Sequence, residues 1–255
     1  MIEFNSQRLL MSMTDDERLL TRHIKDLARR ADNTGRSMFS CFLDERQLAL
    51  CSAILDREGF SGYKTDGGYD GARRRVIIFP GYGESCPFTA VAYSYRQEDK
   101  PSHRDFLGTL MALDIKRETV GDILVGPSKT IVFVLNSVCP LAAGITKVGG
   151  VGVRVLFDFC EEDIPGEESV SLSGTVSSLR LDAVAAIALR LSREKTQELI
   201  RTKGIALNYL TVFDPGAAVS QGDVFSVRGY GRFKLSLAGG LSKKGRIFIT
   251  VDKSV

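Results

Sequence analysis

The chain has 255 residues, of which 44% are hydrophobic and 25% charged, the balance of a folded globular protein. No apolar run approaches the roughly 18–20 residues that cross a bilayer, and the acidic, polar start MIEFNSQRLLMSMTDDERLL is not built like a secretory leader, so a cytoplasmic protein is expected. Five scattered cysteines (Cys41, Cys51, Cys86, Cys139, Cys160) without a CxxC pair, together with only two histidines, argue for reduced, mostly buried thiols and against a disulfide frame or a transition-metal site.

The net charge of +3 hides an uneven distribution. From Ser178 onward there are 13 Lys and Arg against 6 Asp and Glu, whereas the preceding residues hold 21 basic and 25 acidic side chains. A basic final third on an acidic remainder suggests a polyanion-binding module joined to something else.

In chain order, the first region (1–85) reads as α+β. Leu19, Leu20, Ile24 and Leu27 recur at helical spacing behind Asp15 and Asp16, and a second helix is predicted over Glu45–Arg57. Glycine-rich turns and short β-prone runs follow, including GGYDGARRR. The second region (86–160) gives the strand FTAVAYSY, a helix HRDFLGTLMALD capped by Ser102, the strands GDILV and TIVFVLN, a short helix in PLAAGITKV, and the strand GVRVLFDF. The order β-α-β-β-α-β is that of a ferredoxin-like split βαβ sandwich, the fold of RNA-recognition motifs. The aromatic strands of such motifs are missing, and Phe133 is expected in the core rather than on a base-stacking platform.

The segment 161–175, opening with the acidic EEDIPGEES, reads as a linker. The third region (176–255) starts with a helix burying Leu181, Val184, Ala185, Ile187, Ala188 and Leu191. Ser192 can cap a second helix, REKTQELIRTK, which turns Thr196, Leu199 and Ile200 inward and ends at Gly204 in the left-handed region. IALNYL then alternates as a strand, and QGDVFSVRGYGRF supplies a turn and another strand. Arg193, Gln197 and Arg201 fall on one edge of the second helix, and Ser192 with the first helix amides could hold a phosphate oxygen. Glu194 and Glu198 would partly neutralise that edge if it were merely a solvated face.

The residues LRLD, LSREKTQELIRTKGIALN and VSQGDVFSVRGYGRF resemble the RNA-binding domain named after small-subunit ribosomal protein S-four, the alpha-L motif. The matches are Arg180-Leu181-Asp182, Ser192-Arg193, Ile200, Gly204, Asn208 and Gly222-Asp223, with Ile205 and Leu207 in place of the usual valines and one extra residue before Gly204. The resemblance implies RNA contacts by Arg180, Arg190, Arg193, Lys195, Arg201 and Lys203, while Ser192 at the helix start and Asn208, Arg228 and Arg232, on later elements that must fold back over the helices, are assigned to the same surface. Lys243 and Lys244, in what reads as a flexible basic loop, are expected on phosphates. Secondary contacts are assigned to Arg73, Arg74, Arg75, His103 and Arg104.

The wider set RGYGRF with SKKGR, HRDFLGTLMALDIKRETVGDILV and GGYDGARRR resembles the YlmH family of bacterial proteins along nearly the whole chain. That resemblance implies a monomeric, non-catalytic protein on ribosomal RNA of the large subunit and tRNA, with ribosome-rescue factors as possible partners. It also implies quality control of stalled peptidyl-tRNA complexes, with no cofactor, metal or membrane involved. An RNA-modifying enzyme of pseudouridine-synthase or methyltransferase type, targeted by the same module, is the alternative. A regulator that docks a protein partner through the acidic half is the third reading. Against catalysis, His103-Arg104-Asp105 lacks the Asn of a kinase loop and the leucine of the H-R-L-D motif, GGVGVRV precedes its strand, and no P-loop occurs.

Overall fold

The structure is a computed structural model that describes residues 9–83, 86–156, 164 and 169–254. It divides into two compact units, Met1–Pro165 and Gly166–Val255.

The first unit opens with helix α1 (Asp15–Thr34), whose Thr14 and Glu17 form a reciprocal capping box. Ile24, Leu27, Ala28 and Ala31 are its buried stripe, whereas Leu19 turns outward. Strand β1 (Met38–Phe39) leads to helix α2 (Glu45–Arg57), capped by Asp44 and Gln47 in the same way. Strands β2 (Lys64–Asp66) and β3 (Val76–Phe79) complete a three-stranded sheet in the order β1-β3-β2.

The next elements are β4 (Phe88–Ser94), α3 (His103–Ala112), β5 (Val120–Val125), β6 (Lys129–Leu135), the one-turn α4 (Cys139–Ala143) and β9 (Arg154–Leu156). A two-stranded ribbon, β7 (Lys147–Val148) with β8 (Val151–Gly152), precedes the last of these. The sheet order β5-β6-β4-β9, antiparallel throughout, inserts the third strand between the first and second. Residues 157–159 of the expected last strand lie outside the described residues.

Both faces of this sheet are covered. Val91, Tyr93, Val132 and Val134 pack with Phe106 and Leu110 of α3, while Ala92, Ile131 and Phe133 pack with Phe42, Val76 and Ile78 of the preceding region. One core therefore straddles residue 85. Phe133 is buried, as expected, and stacks on Tyr69 at 5.4 Å. A Cβ on Gly68 would fall 2.3 Å from the Phe133 ring, and the φ of +93° there is one that glycine adopts freely. A base-stacking platform on this face is excluded because protein already covers it.

The second unit is a six-stranded antiparallel sheet with two helices. Its elements are β10 (Ser169–Val176), α5 (Leu181–Leu189), α6 (Arg193–Lys203), β11 (Ile205–Leu207), β12 (Leu210–Val212), β13 (Val224–Val227), β14 (Gly231–Leu241) and β15 (Ile247–Ser254), in the sheet order β10-β15-β14-β13-β11-β12. Leu181, Val184, Ala185, Ala188, Thr196 and Ile200 are buried against Phe225, Phe233, Ile249 and Val251, with Ile187, Leu191 and Leu199 partly covered.

Four expectations change here. Residues 169–175, read as linker, form most of β10, which pairs with β15 along eight residues because Leu172 and Val176 alternate inward; residues 161–163 and 165–168 lie outside the described residues. IALNYL is a hairpin, since Asn208 and Tyr209 both have positive φ (45° and 69°) and Leu207 pairs with Leu210. Gly204 ends α6 with φ 70° but ψ 160°, so the chain runs straight into β11 instead of curling into a left-handed cap. Of the described cysteines only Cys51 is buried, and Cys86 is exposed; Cys160 is outside the described residues.

Candidate nucleic-acid interface

The basic edge of the second unit is organised around one buried carboxylate. Asp182 sits in the first turn of α5, where an acidic group is favoured by the helix dipole, and its side chain is 0% exposed. Arg180 approaches it through Nε at 3.2 Å and Nη2 at 3.4 Å. Arg193, from α6, approaches from the other helix through Nε at 3.1 Å and Nη2 at 3.3 Å. Gln197, one turn further along, donates from Nε2 at 2.6 Å. Burial by itself would raise the Asp182 pKa, but the hydrogen bonds from Arg193, Gln197 and Arg180 outweigh it and hold the carboxyl down at about 2.

This hub gives the two arginines a fixed orientation. Each spends its Nε/Nη2 edge on Asp182 while its side chain remains 43% (Arg180) or 49% (Arg193) exposed, leaving guanidinium surface for an external anion. A half-exposed arginine whose fork is already oriented loses less freedom on meeting a phosphate. The carboxylate beside Arg193 is thus Asp182, not Glu194 or Glu198.

Arg190 occupies the left-handed C-cap of α5 and is exposed, two residues before the cap of α6. Ser192 caps α6, its Oγ accepting the Lys195 N–H at 3.4 Å, so this oxygen serves the helix. Lys195, Arg201 and Lys203 are exposed along α6. Asn208 is engaged within the fold. Its Nδ2 donates to Asp223 Oδ1 at 2.8 Å and its Oδ1 accepts the Val224 N–H at 3.0 Å, while Asp223 Oδ2 also accepts the Ser220 N–H at 2.7 Å. The Asn208 and Gly222-Asp223 motifs are thus two halves of one turn lock.

Arg228 lies in the tight turn between β13 and β14, and Arg232 lies at the start of β14. The register Ala206↔Ser226↔Arg232 brings Arg228 level with the start of β11, the strand that leaves the C-terminal end of α6, and puts Arg232 one strand further across the sheet. Lys243 and Lys244 sit elsewhere. They occupy the β14–β15 turn at the far end of an eleven-residue strand, roughly 30 Å from Arg228. That turn is not a loose loop, because the Ser242 N–H donates to Arg246 O at 2.8 Å and the Gly245 N–H to Ser242 O at 2.9 Å. Two exposed aromatics that the charge pattern did not reveal, Phe213 and Tyr230, accompany the near end, with Phe213 against Gly204.

In the first unit the three arginines divide. Arg74 is half-buried and donates to Val120 O (2.9 Å), Phe42 O (2.9 Å) and Arg117 O (3.4 Å), which makes it a backbone clamp. Arg75 Nε donates to its own turn at Ala72 O. Arg73 is exposed, its backbone N–H held by Asp122 at 2.7 Å. His103 starts α3; partial desolvation and the nearby Arg117 push its imidazole down, with Asp122 opposing. Arg104 is exposed beside it, and Asp105 completes the capping box with Ser102. Among the described residues, no group of three His, Cys, Asp or Glu side chains is spaced to hold a metal ion, and no helix is long and apolar enough to cross a membrane.

Comparison with known proteins supplies the wider setting. Residues 88–158 match the family model described as "Putative RNA-binding domain in YlmH". Over 246 residues the chain is 34% identical to ribosome-associated protein quality control protein P2 of Bacillus subtilis (strain 168), covering 93% of this chain and 95% of that protein. Among solved structures, cell division protein ylmH from Streptococcus pneumoniae aligns with a TM-score of 0.50 at 16% identity, over 60% of this chain and 97% of that one, a likeness of fold alone.

Proposed function

Because the chain belongs to the YlmH family of ribosome-associated RNA-binding proteins, we propose that it is a non-catalytic RNA-binding protein that works in ribosome-associated quality control. It docks on RNA of the large subunit and on the tRNA of a stalled peptidyl-tRNA complex. The observation that carries this reading is the near-full-length similarity to a protein named for that process. The protein acts in the cytoplasm as a monomer, and its mechanism is placement rather than bond-making.

The geometry supports a division of labour on the second unit, read as an S-four-type module. Arg180 and Arg193, oriented by Asp182, meet phosphates at one edge. Lys195, Arg201 and Lys203 continue the line along α6, and Arg228 and Arg232 extend it onto the sheet. Lys243 and Lys244 form a separate contact at the far turn. Asn208 and Ser192 hold the surface in shape. In the first unit, Arg73, His103 and Arg104 remain the exposed candidates for a secondary contact, whereas Arg74 is half-buried and clamps backbone carbonyls. The strand order around β4 supports a ferredoxin-like middle domain, 86–160, sharing a core with 1–85.

Co-sedimentation with purified ribosomal particles across a salt series tests the reading. Wild type is expected with the large subunit, and Arg193→Glu/Arg201→Glu is expected in the supernatant. Equal binding by both proteins would put the RNA surface elsewhere.

A further inference from the structure

We propose that the cleft between α1 and residues 40–44 of the first unit is a binding site for a phosphorylated ligand of mononucleotide size, seated on Arg74 and Arg117. This site is independent of the RNA surface on the second unit.

The cleft has a volume of about 450 Å³, within the range of small-molecule sites. Arg74 and Arg117 form its basic wall, Leu20 and Leu43 an apolar wall, and His23 and Gln47 lie at its polar mouth. The two arginines are half-buried and near one another. Among the described residues neither has a carboxylate within ion-pair distance; backbone carbonyls hold both. Each donates to Val120 O, Arg74 through Nε and Arg117 through Nη1, and further bonds reach Phe42 O and Gly121 O. Carbonyl dipoles orient the guanidinium groups without neutralising them. Nη1 of Arg74, and Nε and Nη2 of Arg117, have no acceptor among the described residues and are left for a ligand.

The electrostatics favour an anion. Burial and the neighbouring Arg117 push the Arg74 pKa down, and burial pushes Arg117 down, so a phosphate between them would relieve both desolvation and mutual repulsion. The carboxylates in reach are already occupied or screened. Asp122 accepts from Tyr69 Oη and from the Arg73 and Arg74 amides. Asp44 caps α2, and it and Glu118 are exposed to water. The volume suits one nucleoside with its phosphate, and Leu20 and Leu43 offer surface for an uncharged ring. A free nucleotide and the terminal nucleotide of an RNA strand present the same chemistry.

The test is calorimetric titration of the full chain with adenosine 5′-monophosphate, inorganic phosphate, and a short RNA with and without a terminal phosphate. Saturable binding of the mononucleotide is expected, about tenfold weaker in Arg117→Gln and blocked in His23→Trp, which fills the mouth from an exposed position. Arg193→Glu/Arg201→Glu should bind it unchanged, which separates this site from the RNA surface. In the Arg193→Glu/Arg201→Glu background, where the RNA surface of the second unit is disabled, tighter binding of the phosphorylated RNA than of both the unphosphorylated RNA and the mononucleotide would identify a strand terminus as the ligand, and the reverse a free nucleotide. No binding of either, binding indifferent to His23→Trp, or inorganic phosphate binding as tightly as the mononucleotide would overturn the proposal.

Discussion

Arg193 meets Asp182 edge to edge, Nε to Oδ2 at 3.1 Å and Nη2 to Oδ1 at 3.3 Å, and so ties the start of one helix to the start of the helix before it. A side chain assigned to RNA is thus also an internal tie. Asp182→Asn tests which role dominates. The substitution adds one positive charge to an already basic surface, so charge alone predicts tighter RNA binding. Positioning predicts the opposite, because Arg180 and Arg193 lose the anion that orients them. The expected outcome is a severalfold loss of affinity for ribosomal RNA in a filter-binding assay. A destabilisation of about 2 kcal/mol should accompany it, below the usual cost of breaking a buried pair because both arginines are half in water.

The same carboxyl sets an acid response. Its folded pKa of about 2 lies below the usual aspartate value of about 3.9. Folding therefore favours the ionised form, and the stabilisation is present above about pH 4 and lost as pH falls toward 2. Urea unfolding of wild type and Asp182→Asn should show a stability gap at neutral pH that narrows below about pH 4. A gap independent of pH would mean that the ionised form of Asp182 is not what stabilises the fold.

Local patterning made much of this molecule legible in the sequence. Apolar spacing located both N-terminal helices, α3, α5 and α6, and Ser102 and Ser192 marked their helix starts. What pattern could not show was pairing at a distance. VSLSGTV reads as polar loop until β15 is available as its partner, and the Asn208-Tyr209 turn depends on a left-handed pair that a glycine would have advertised. In the site, basic residues were legible as charge, but their partners were not. Asp182 lies eleven residues before Arg193, and only the crossing of α5 and α6 brings them together.

Asn208 and Arg228 should separate structure from contact. Asn208→Ala removes the bonds to Asp223 and Val224 and is expected to cost about 1–2 kcal/mol, measured by thermal unfolding, while the salt dependence of RNA binding keeps its slope. Arg228→Gln should leave stability unchanged and lower the log–log salt slope by about 0.7–0.9, the share of one phosphate contact. A slope change in Asn208→Ala without loss of stability would return that residue to the RNA surface.

Arg74 supplies the sharpest contrast within a run of like residues. Arg73, Arg74 and Arg75 are equivalent as charge, yet Arg74 alone reaches Val120 O, Phe42 O and Arg117 O, carbonyls from two separate segments of the chain. Truncation to alanine would leave these acceptors to water in a half-buried place, and each hydrogen bond to a charged group is worth about 1.5–3 kcal/mol. Partial exposure reduces that sum, so Arg74→Ala is expected to destabilise the first unit by about 2–4 kcal/mol. Arg104→Ala, at an exposed position of the same unit, should change stability by less than about 0.5 kcal/mol. Chemical denaturation of the two variants measures the difference, and equal effects would show that the carbonyl clamp does not carry the stability of this region.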